Sequence, residues 1–452
     1  MKAKVAIWLG LLRSYTFGRV LQIQLIYGMV PGLLMTALWL NSNIKRLGSI
    51  ALVHQAGDSW VPIGNALRFV RSHADLSGLY HTTYFATNEQ FIYAPQGLAL
   101  CDALDRLTGF SFGDVQQAKI ASWWLLVALT AYAYVFLAWL ARELKVQVAS
   151  ADEKLFVLAV SVCSVYLFFP LTGGYTVGNI QNFLTTLAAL AMFGFMRDRS
   201  VLAGFLLGIA VLVKPHIGAM LVWALVRREF RFAAGMVAAL AAGSVLSLAM
   251  YGWPVHAAYL ELLQYLSGRG ESYAGSHTFE SALYRLMHLG NNVSFDAYHR
   301  TLQPVAWIHW TATALGVATM AWAFWPRKGD GPIMRMLDFG TAYMAIVIAS
   351  PVAYEHHFGL SYLLLPASAL LMIVLNTGDR VVRVTLPLAY LCLANVFPVT
   401  DWIADTNVNL LQSYRLIGTL LLIFSMVRLR RALVEGQVRG TSAEGKLAEL
   451  PA

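Results

Sequence analysis

Long apolar runs separated by short polar breaks make up most of this chain, and the run lengths decide what it can fold into. Runs of ~17–25 apolar residues can cross a bilayer as helices. They fall at 20–40, 118–140, 154–171, 180–196, 201–226, 232–251, 304–325, 337–350, 358–375, 381–397 and 410–427. The fifth differs from the others. Arg197, Asp198 and Arg199 precede it, and Arg227, Arg228 and Arg231 follow it. If both basic clusters share one side of the membrane, the run must go in and come back, with the break at Lys214-Pro215. Counting it as two arms predicts an all-α polytopic integral membrane protein of about twelve crossings, a single domain over 1–452 with both termini on one side.

Two long segments escape the pattern, 41–117 and 252–303. In the first, Trp60, Ile63, Leu67 and Val70 recur at three- and four-residue intervals while Arg68 and Arg71 face elsewhere. That spacing predicts an amphipathic helix lying on the membrane surface. In the second, Tyr259, Leu262, Leu263 and Leu266 form another such stripe. A glycine break at Gly268-Arg269-Gly270 and a short helix over about 280–287 follow.

Composition agrees: 58% of residues are hydrophobic, 13% are charged, and mean hydropathy is +0.59, values of a membrane protein. The net charge of +9 would suggest nucleic acid in a soluble protein, but here 22 of the 33 Lys and Arg residues sit in short alternate loops and in a tail over 428–452. That is the positive-inside pattern; it makes those loops cytoplasmic and the two long segments outer-face loops, and no nucleic-acid partner is expected. Residues 1–12 could be a signal peptide, but Arg13 and Arg19 stand where small residues should mark cleavage, so the stretch is expected along the inner surface. Cys101, Cys163 and Cys392 make no disulfide framework or metal motif.

Chemically capable residues collect on the outer side. Asp58, at the head of the first long segment, is either a general base or a cap of the helix after it; Pro62 disfavours the cap, and Ser59 is better placed for it. Lys214 interrupts apolar sequence next to Pro215 and His216, where a charge is costly and a phosphate would be a natural partner; a snorkelling lysine is the alternative. Tyr354-Glu355-His356-His357 opens another apolar run. Adjacent histidines on a helix point about 100° apart, so a phosphate or substrate contact fits them better than a shared metal. Gly173-Gly174-Tyr175-Thr176-Val177-Gly178-Asn179 reads as a glycine-rich outer turn with Asn179 and Asn182 as amide donors, and Phe91-Ile92-Tyr93-Ala94-Pro95 as an aromatic interfacial anchor.

Together these pieces resemble glycosyltransferase family 87, a group of polyprenol-phosphate-dependent GT-C enzymes that includes mannosyltransferases. The matching residues run in family order: Gly57-Asp58, Phe91-x-Tyr93-x-Pro95, Gly178-Asn179-x-x-Asn182, Ala203-Gly204-x-x-x-Gly208 leading to Lys214-Pro215, Ser350-Pro351 and Glu355-His356-His357. The resemblance implies a GT-C fold with its catalytic cavity at the outer face of a bacterial plasma membrane. It implies a polyprenyl-phospho-sugar donor and a glycolipid or glycan acceptor; GT-C enzymes can use a metal, but the Asp-x-Asp or Glu-x-Asp pair that would announce one is missing around Asp58, so no metal and no cofactor is expected. Asp58 would be the base. Lys214, His216, His356, His357, Glu355, Asn179 and Tyr93 would line the donor site, and His277, Glu280 and Ser281 the acceptor region. The chain departs from the family pattern at Ala94, where a proline is expected, and at Phe279-Glu280-Ser281. A secondary transporter or lipid flippase of about twelve spans is the alternative, sharing a broken helix and an intramembrane charge, but no second broken helix stands in a matching half.

Overall fold

The computed structural model describes residues 14–32, 34, 42–87, 90–267, 270–287, 292–293, 305–376 and 379–447. Among them the named elements are helices, and an isolated antiparallel bridge joins Ser276 to Tyr354. Expectations for residues 1–12, for the end of the first apolar run, for Gly268-Arg269 and for most of 288–304 lie outside the described residues.

Helix α1 (Thr16–Gln24) runs into a π-helical turn, Leu25–Met29; α2 (Ser42–Ala51) and α3 (Trp60–Ser72) follow, then a π turn at His81–Phe85 and α4 (Pro95–Thr108). The long α5 (Val115–Glu143) starts at Asp114, whose carboxylate accepts from the Gln116 and Gln117 amides, and α6 (Ala151–Tyr166) starts at Ser150, whose hydroxyl accepts from Glu153. Both are ordinary side-chain caps of orphan amides. A 47° bend leads from α6 to α7 (Phe169–Val177). Next come α8 (Gln181–Met196), α9 (Ser200–Val213) and α10 (Ala219–Val226), the last two joined by the 3-10 turn Pro215–Gly218. Helix α11 (Phe230–Ser267) is kinked at Gly252, where φ is 71°. The remainder is α12 (Phe279–Met287), α13 (Ala306–Phe324), α14 (Pro332–Ala349), the 3-10 turn Glu355–Phe358, α15 (Ser361–Val374), α16 (Arg380–Ala394), 3-10 turns at Pro398–Ile403 and Asn409–Ser413, and α17 (Tyr414–Leu447).

Five helical stretches among the described residues are long and apolar enough to cross a membrane, and the bent α6–α7 pair makes a sixth; α8, α9 and Pro215–Val226 are shorter apolar helices. The chain is a multi-pass helical membrane protein. Three local expectations are corrected. The run over 154–171 is no straight span, because it bends after Tyr166. The glycine-rich segment is no open turn: Phe169–Val177 is helical, and Gly178 alone turns left-handed, with φ 75°. Phe91 and Tyr93 are core residues rather than interfacial anchors, Phe91 stacking on Tyr80 with ring centroids 5.7 Å apart.

Helices α14 and α15 form the buried centre, nearly every side chain covered, whereas α5 and α11 are exposed over much of their apolar surface. Helix α9 crosses α11 at close range. A Cβ at Gly204 would run into the Phe232 carbonyl, one at Gly208 would come 2.7 Å from Ala239 Cβ, and one at Gly235 would run into the Val201 carbonyl. Such small-residue stripes let two backbones touch where the solvent offers no hydrophobic drive to pack them. That contact explains the Gly204-x-x-x-Gly208 element and fixes where Lys214, at the end of α9, projects.

Contacts gather the basic loops at one end. Arg335 pairs with Asp198 and, at 2.9 Å, with Asp330. Buried Asp338 meets Arg227 at 2.5 Å, Arg430 at 2.8 Å and Arg327 at 3.6 Å. Arg430 also donates to the Lys328 carbonyl at 2.7 Å. These pairs join the turns after α8, α10 and α13 to the middle of α17.

At the other end, α3 and α4 form a platform. Arg71 Nε donates to Asp102 at 2.9 Å, Arg106 Nη2 at 3.0 Å and Tyr251 OH at 3.4 Å, so one carboxylate ties α3, α4 and α11 together. Burial raises the Asp102 pKa, but the hydrogen bonds from Arg106 and Arg71 outweigh it and hold the group below the usual carboxylate range.

Candidate active site

The segment before α3 lies against the end of α7. The amides of Ala56, Asp58 and Ser59 donate to the carbonyls of Thr176, Val177 and Gly178 at 2.8, 3.0 and 3.0 Å. A Cβ at Gly178 would run into the Ala56 carbonyl, so glycine is needed here for both its φ and the close approach. Ser59 stands at the N-cap of α3 but does not cap it with its side chain. Ser59 Oγ accepts instead from the Ile180 amide at 2.9 Å and lies 2.6 Å from Tyr93 OH, while Tyr80 OH donates to the Tyr93 carbonyl at 2.7 Å. Burial, with Asp58 nearby, pushes the Tyr93 phenol up, so it stays protonated. Asp58 as a residue is exposed.

Asn179 links that carboxylate to the interior. Its Nδ2 donates to Asp58 Oδ2 at 2.6 Å, and its Oδ1 accepts from the Gln181 amide at 2.9 Å. Gln181 Oε1 in turn accepts from Lys214 Nζ at 2.9 Å. Lys214 also donates to His357 Nε2 at 3.0 Å, and His357 Nδ1 donates to the Tyr354 carbonyl at 3.1 Å, which fixes the tautomer. Tyr354 OH reaches Glu271 at 3.2 Å. One chain of contacts therefore runs from the carboxylate of an exposed aspartate to a buried ammonium. Lys214 is 8% exposed, and among the described residues it forms no ion pair. Two of its three donors go to neutral acceptors, and burying a charge on such terms is costly.

The histidines have different surroundings. His356 and His357 stack with centroids 4.7 Å apart, and the half-buried His216 ring lies 5.8 Å from His357. His356 Nε2 is buried without a hydrogen-bond partner among the described residues. Asn182 donates to the Leu171 carbonyl at 3.0 Å, a structural bond that holds α7 to α8.

Glu355 belongs to a second cluster, built around a residue the sequence reading passed over. Arg415, fully buried at the start of α17, lies 3.4 Å from Glu355 Oε1 and donates to His277 Nε2 at 3.0 Å, Tyr414 OH at 2.9 Å and the Asn395 carbonyl at 2.7 Å. Its guanidinium covers the Phe169 ring at 4.7 Å. Burial, then Arg415 and Arg285, hold the His277 pKa well below the ordinary imidazole value. The His277 amide donates to the Ala353 carbonyl at 2.9 Å, beside the Ser276–Tyr354 bridge, so this loop is pinned to the segment that carries the histidine pair.

Glu280 and Ser281 face other partners. Ser281 Oγ lies 2.6 Å from Ser276 Oγ, and its amide donates to Thr278 Oγ1, the cap of α12, at 3.1 Å. Glu280 is 3.8 Å from His309 on α13, its pKa raised by burial. Arg285 on α12, also missed, donates to the Tyr273 and Ser276 carbonyls at 2.9 and 2.8 Å and so shapes the loop from inside. Gln181 and Arg415 carried no sequence signal: one is a common polar residue beside an asparagine, the other one basic residue among many. Among the described residues no group of three or more His, Cys, Asp or Glu side chains is placed to hold a metal.

A helical bundle whose one end gathers a buried lysine, a histidine pair and an exposed aspartate, linked by amide side chains, is the class that fold and site define: a multi-pass membrane protein with a polar cluster at one end. The profile of glycosyltransferase family 87 matches residues 91–351, more than half of the chain. The chain belongs to glycosyltransferase family 87 and is a membrane glycosyltransferase. The matched region contains Tyr93, Asn179, Lys214, His216, His277, Glu280 and Ser281; it starts after Asp58 and ends before Glu355. Comparisons with curated proteins and with solved structures gave no match.

Proposed function

We propose that the enzyme transfers a sugar, mannose in the first instance, from a polyprenyl-phosphate donor to a hydroxyl of a glycolipid or glycan acceptor, with inversion and with Asp58 as general base. The observation that carries this reading is the chain Asp58–Asn179–Gln181–Lys214. It puts an exposed aspartate and a buried cation a few hydrogen bonds apart. At about 1.5 Å per residue, the fourteen residues of α9 rise about 21 Å from the basic end, short of the ~30 Å hydrocarbon thickness. On this reading Lys214 stands within the hydrocarbon layer, which suits a phosphate carried on a lipid better than one carried on a soluble nucleotide sugar.

In this mechanism the acceptor hydroxyl gives its proton to Asp58 while its oxygen bonds to the anomeric carbon. The bond from that carbon to the phosphate oxygen breaks on the opposite face, its electron pair leaving with polyprenyl phosphate. Lys214 meets the negative charge as it develops, where a low-dielectric site makes the interaction strongest. His357, with both ring nitrogens engaged, orients Lys214, and His356 offers Nε2 to the phosphate. Tyr93 holds the Asp58 loop through Ser59. His277, Glu280 and Ser281, within the loop 252–303, belong to the acceptor region, and the loop 41–117 supplies the base; Glu355, beside the histidine pair, is assigned to the donor side and meets His277 through Arg415. Around this site we place about twelve crossings, both termini and the tail 428–452 inside, and the cavity on the periplasmic face of a bacterial plasma membrane.

The test is transfer by purified protein in nanodiscs, given a panel of radiolabelled polyprenyl-phospho-sugars and membrane-lipid acceptors. Asp58→Asn should lower turnover about 10²–10⁴-fold with unchanged melting, the range a general base contributes. Transfer from a nucleotide sugar with no polyprenyl donor would overturn the donor assignment, and movement of the sugar lipid across vesicles without transfer would favour the flippase.

A further inference from the structure

The opposite end of the bundle carries a cavity of its own. It has a volume of about 530 Å³ and lies where α5 turns into α6, lined by Tyr134, Ala138, Arg142, Lys145, Gln147 and Lys154 among others. Three of its residues are bases and none is an acid. The turn is tight: Lys145 is left-handed, with φ 56°, and the Val146 amide donates to the Ala141 carbonyl at 2.8 Å. All three basic side chains are exposed. Excess positive charge at this end is ordinary for a membrane protein, and alone it says nothing of a ligand.

What lies beyond the bases is more specific. Ala131, Val135, Ala138 and Arg142 are spaced by four, three and four residues and share one face of α5. Lys154, Leu158 and Val162, spaced by four, share one face of α6. Val135 is 55% exposed, Leu158 46% and Val162 39%. Each helix thus presents an unpacked apolar stripe that ends in a base, and both stripes end at the same cavity. A soluble phosphate compound would use the bases and leave the stripes to bulk lipid. A phospholipid would use both, phosphate at the bases and acyl chains along the stripes, the arrangement that basic pockets between membrane helices offer anionic lipids.

We propose that this cavity holds the phosphate of an anionic glycerophospholipid, with its acyl chains in the groove between α5 and α6. The site is separate from the glycosyl-transfer site and does not depend on the donor assigned above. Native mass spectrometry of the purified full chain tests it, with phosphatidylglycerol and phosphatidylcholine of identical acyl chains as probes. Phosphatidylglycerol should remain bound under activation that strips phosphatidylcholine. Arg142→Ala, Lys145→Ala and Lys154→Ala should weaken it about fivefold for each base removed, and the charge-conserving Arg142→Lys, Lys145→Arg and Lys154→Arg should keep it. Ala138→Trp, which fills the cavity without changing charge, should displace it and carries the test should the triple alanine variant fail to fold. Equal retention of the two lipids, or phosphatidylglycerol held as well by a folded triple alanine variant, overturns the proposal. Displacement by inorganic phosphate as effective as by added lipid overturns it in favour of a soluble ligand.

Discussion

At the scale of single residues, the site depends on side chains that hold others in place. Asn179 is the clearest case, since one amide holds the Asp58 carboxylate with its nitrogen and the start of α8 with its oxygen. In Asn179→Ala the carboxylate keeps its chemistry and loses its orientation. Turnover should fall about tenfold or more while the KM for donor changes little, because a base misplaced by an ångström affects the transition state before it affects binding. A KM increase with normal turnover would instead put Asn179 on the donor. His357 yields a complementary prediction. His357→Ala removes the acceptor that aims Lys214 and should raise donor KM, and His357→Gln, whose amide oxygen can accept the same proton, should restore much of it. Asp58 and Lys214 stood out in the sequence because a carboxylate at a span's edge and a charge inside apolar sequence are rare. Arg415 and Gln181 did not, because their importance comes from neighbours more than thirty positions away.

Among the elements, the helix crossings and the platform are separable contributors to stability. Gly204→Leu forces a side chain into the Phe232 backbone, where α11 cannot give way, so folded yield and activity should fall together. Gly48→Ala, where a Cβ meets nothing within 4 Å, should change neither. For the platform, Asp102→Asn removes the charge that joins α3, α4 and α11. With Asp102 buried but Arg71 and Arg106 partly exposed, the loss should be on the order of 1–2 kcal/mol. The folded carboxyl is held below its unfolded value, so its contribution is complete above the unfolded range, near ~4, and fades as pH falls through the lower folded value. The gap in melting temperature between wild type and Asp102→Asn should be full at pH 7 and shrink below about pH 4. Apolar periodicity made the α3 stripe, the second arm of α11 and the break at Lys214-Pro215 legible, because each is a local consequence of side-chain spacing or a missing backbone donor. The helical state of Phe169–Val177 was not legible: its glycines suggest a turn, and only packing against the Asp58 segment and the histidine pair shows why small residues are needed there.

For the whole molecule, each end is held by its own cluster of buried polar contacts, and the concentration of exposed basic loops at one of them makes orientation testable. The basic end is gathered by Asp338, Arg335 and Arg430; the site end is gathered by Arg415, Arg285 and the loop 270–278. Helix α17 joins them, carrying Arg415 at one end and Arg430 fifteen residues on, about 22 Å away along the axis. If the positive-inside rule governs this chain, Asp330, 72% exposed in its side chain, faces the cytoplasm, and Asp405, exposed in the turn before α17, faces out. Single cysteines placed at these positions, in a background where Cys101, Cys163 and Cys392 are replaced by serine, should respond differently to a membrane-impermeant maleimide. Asp405→Cys should label in intact cells, and Asp330→Cys only after permeabilisation. The result bears directly on the chemistry, because the site and the Asp405 turn share an end: Asn409, four residues on, donates to the Arg285 carbonyl at 2.6 Å. Labelling of Asp330→Cys alone in intact cells would put Asp58 and Lys214 on the cytoplasmic side, where nucleotide sugars are at hand, and the case for a lipid-phosphate donor on the outer face would fail with it.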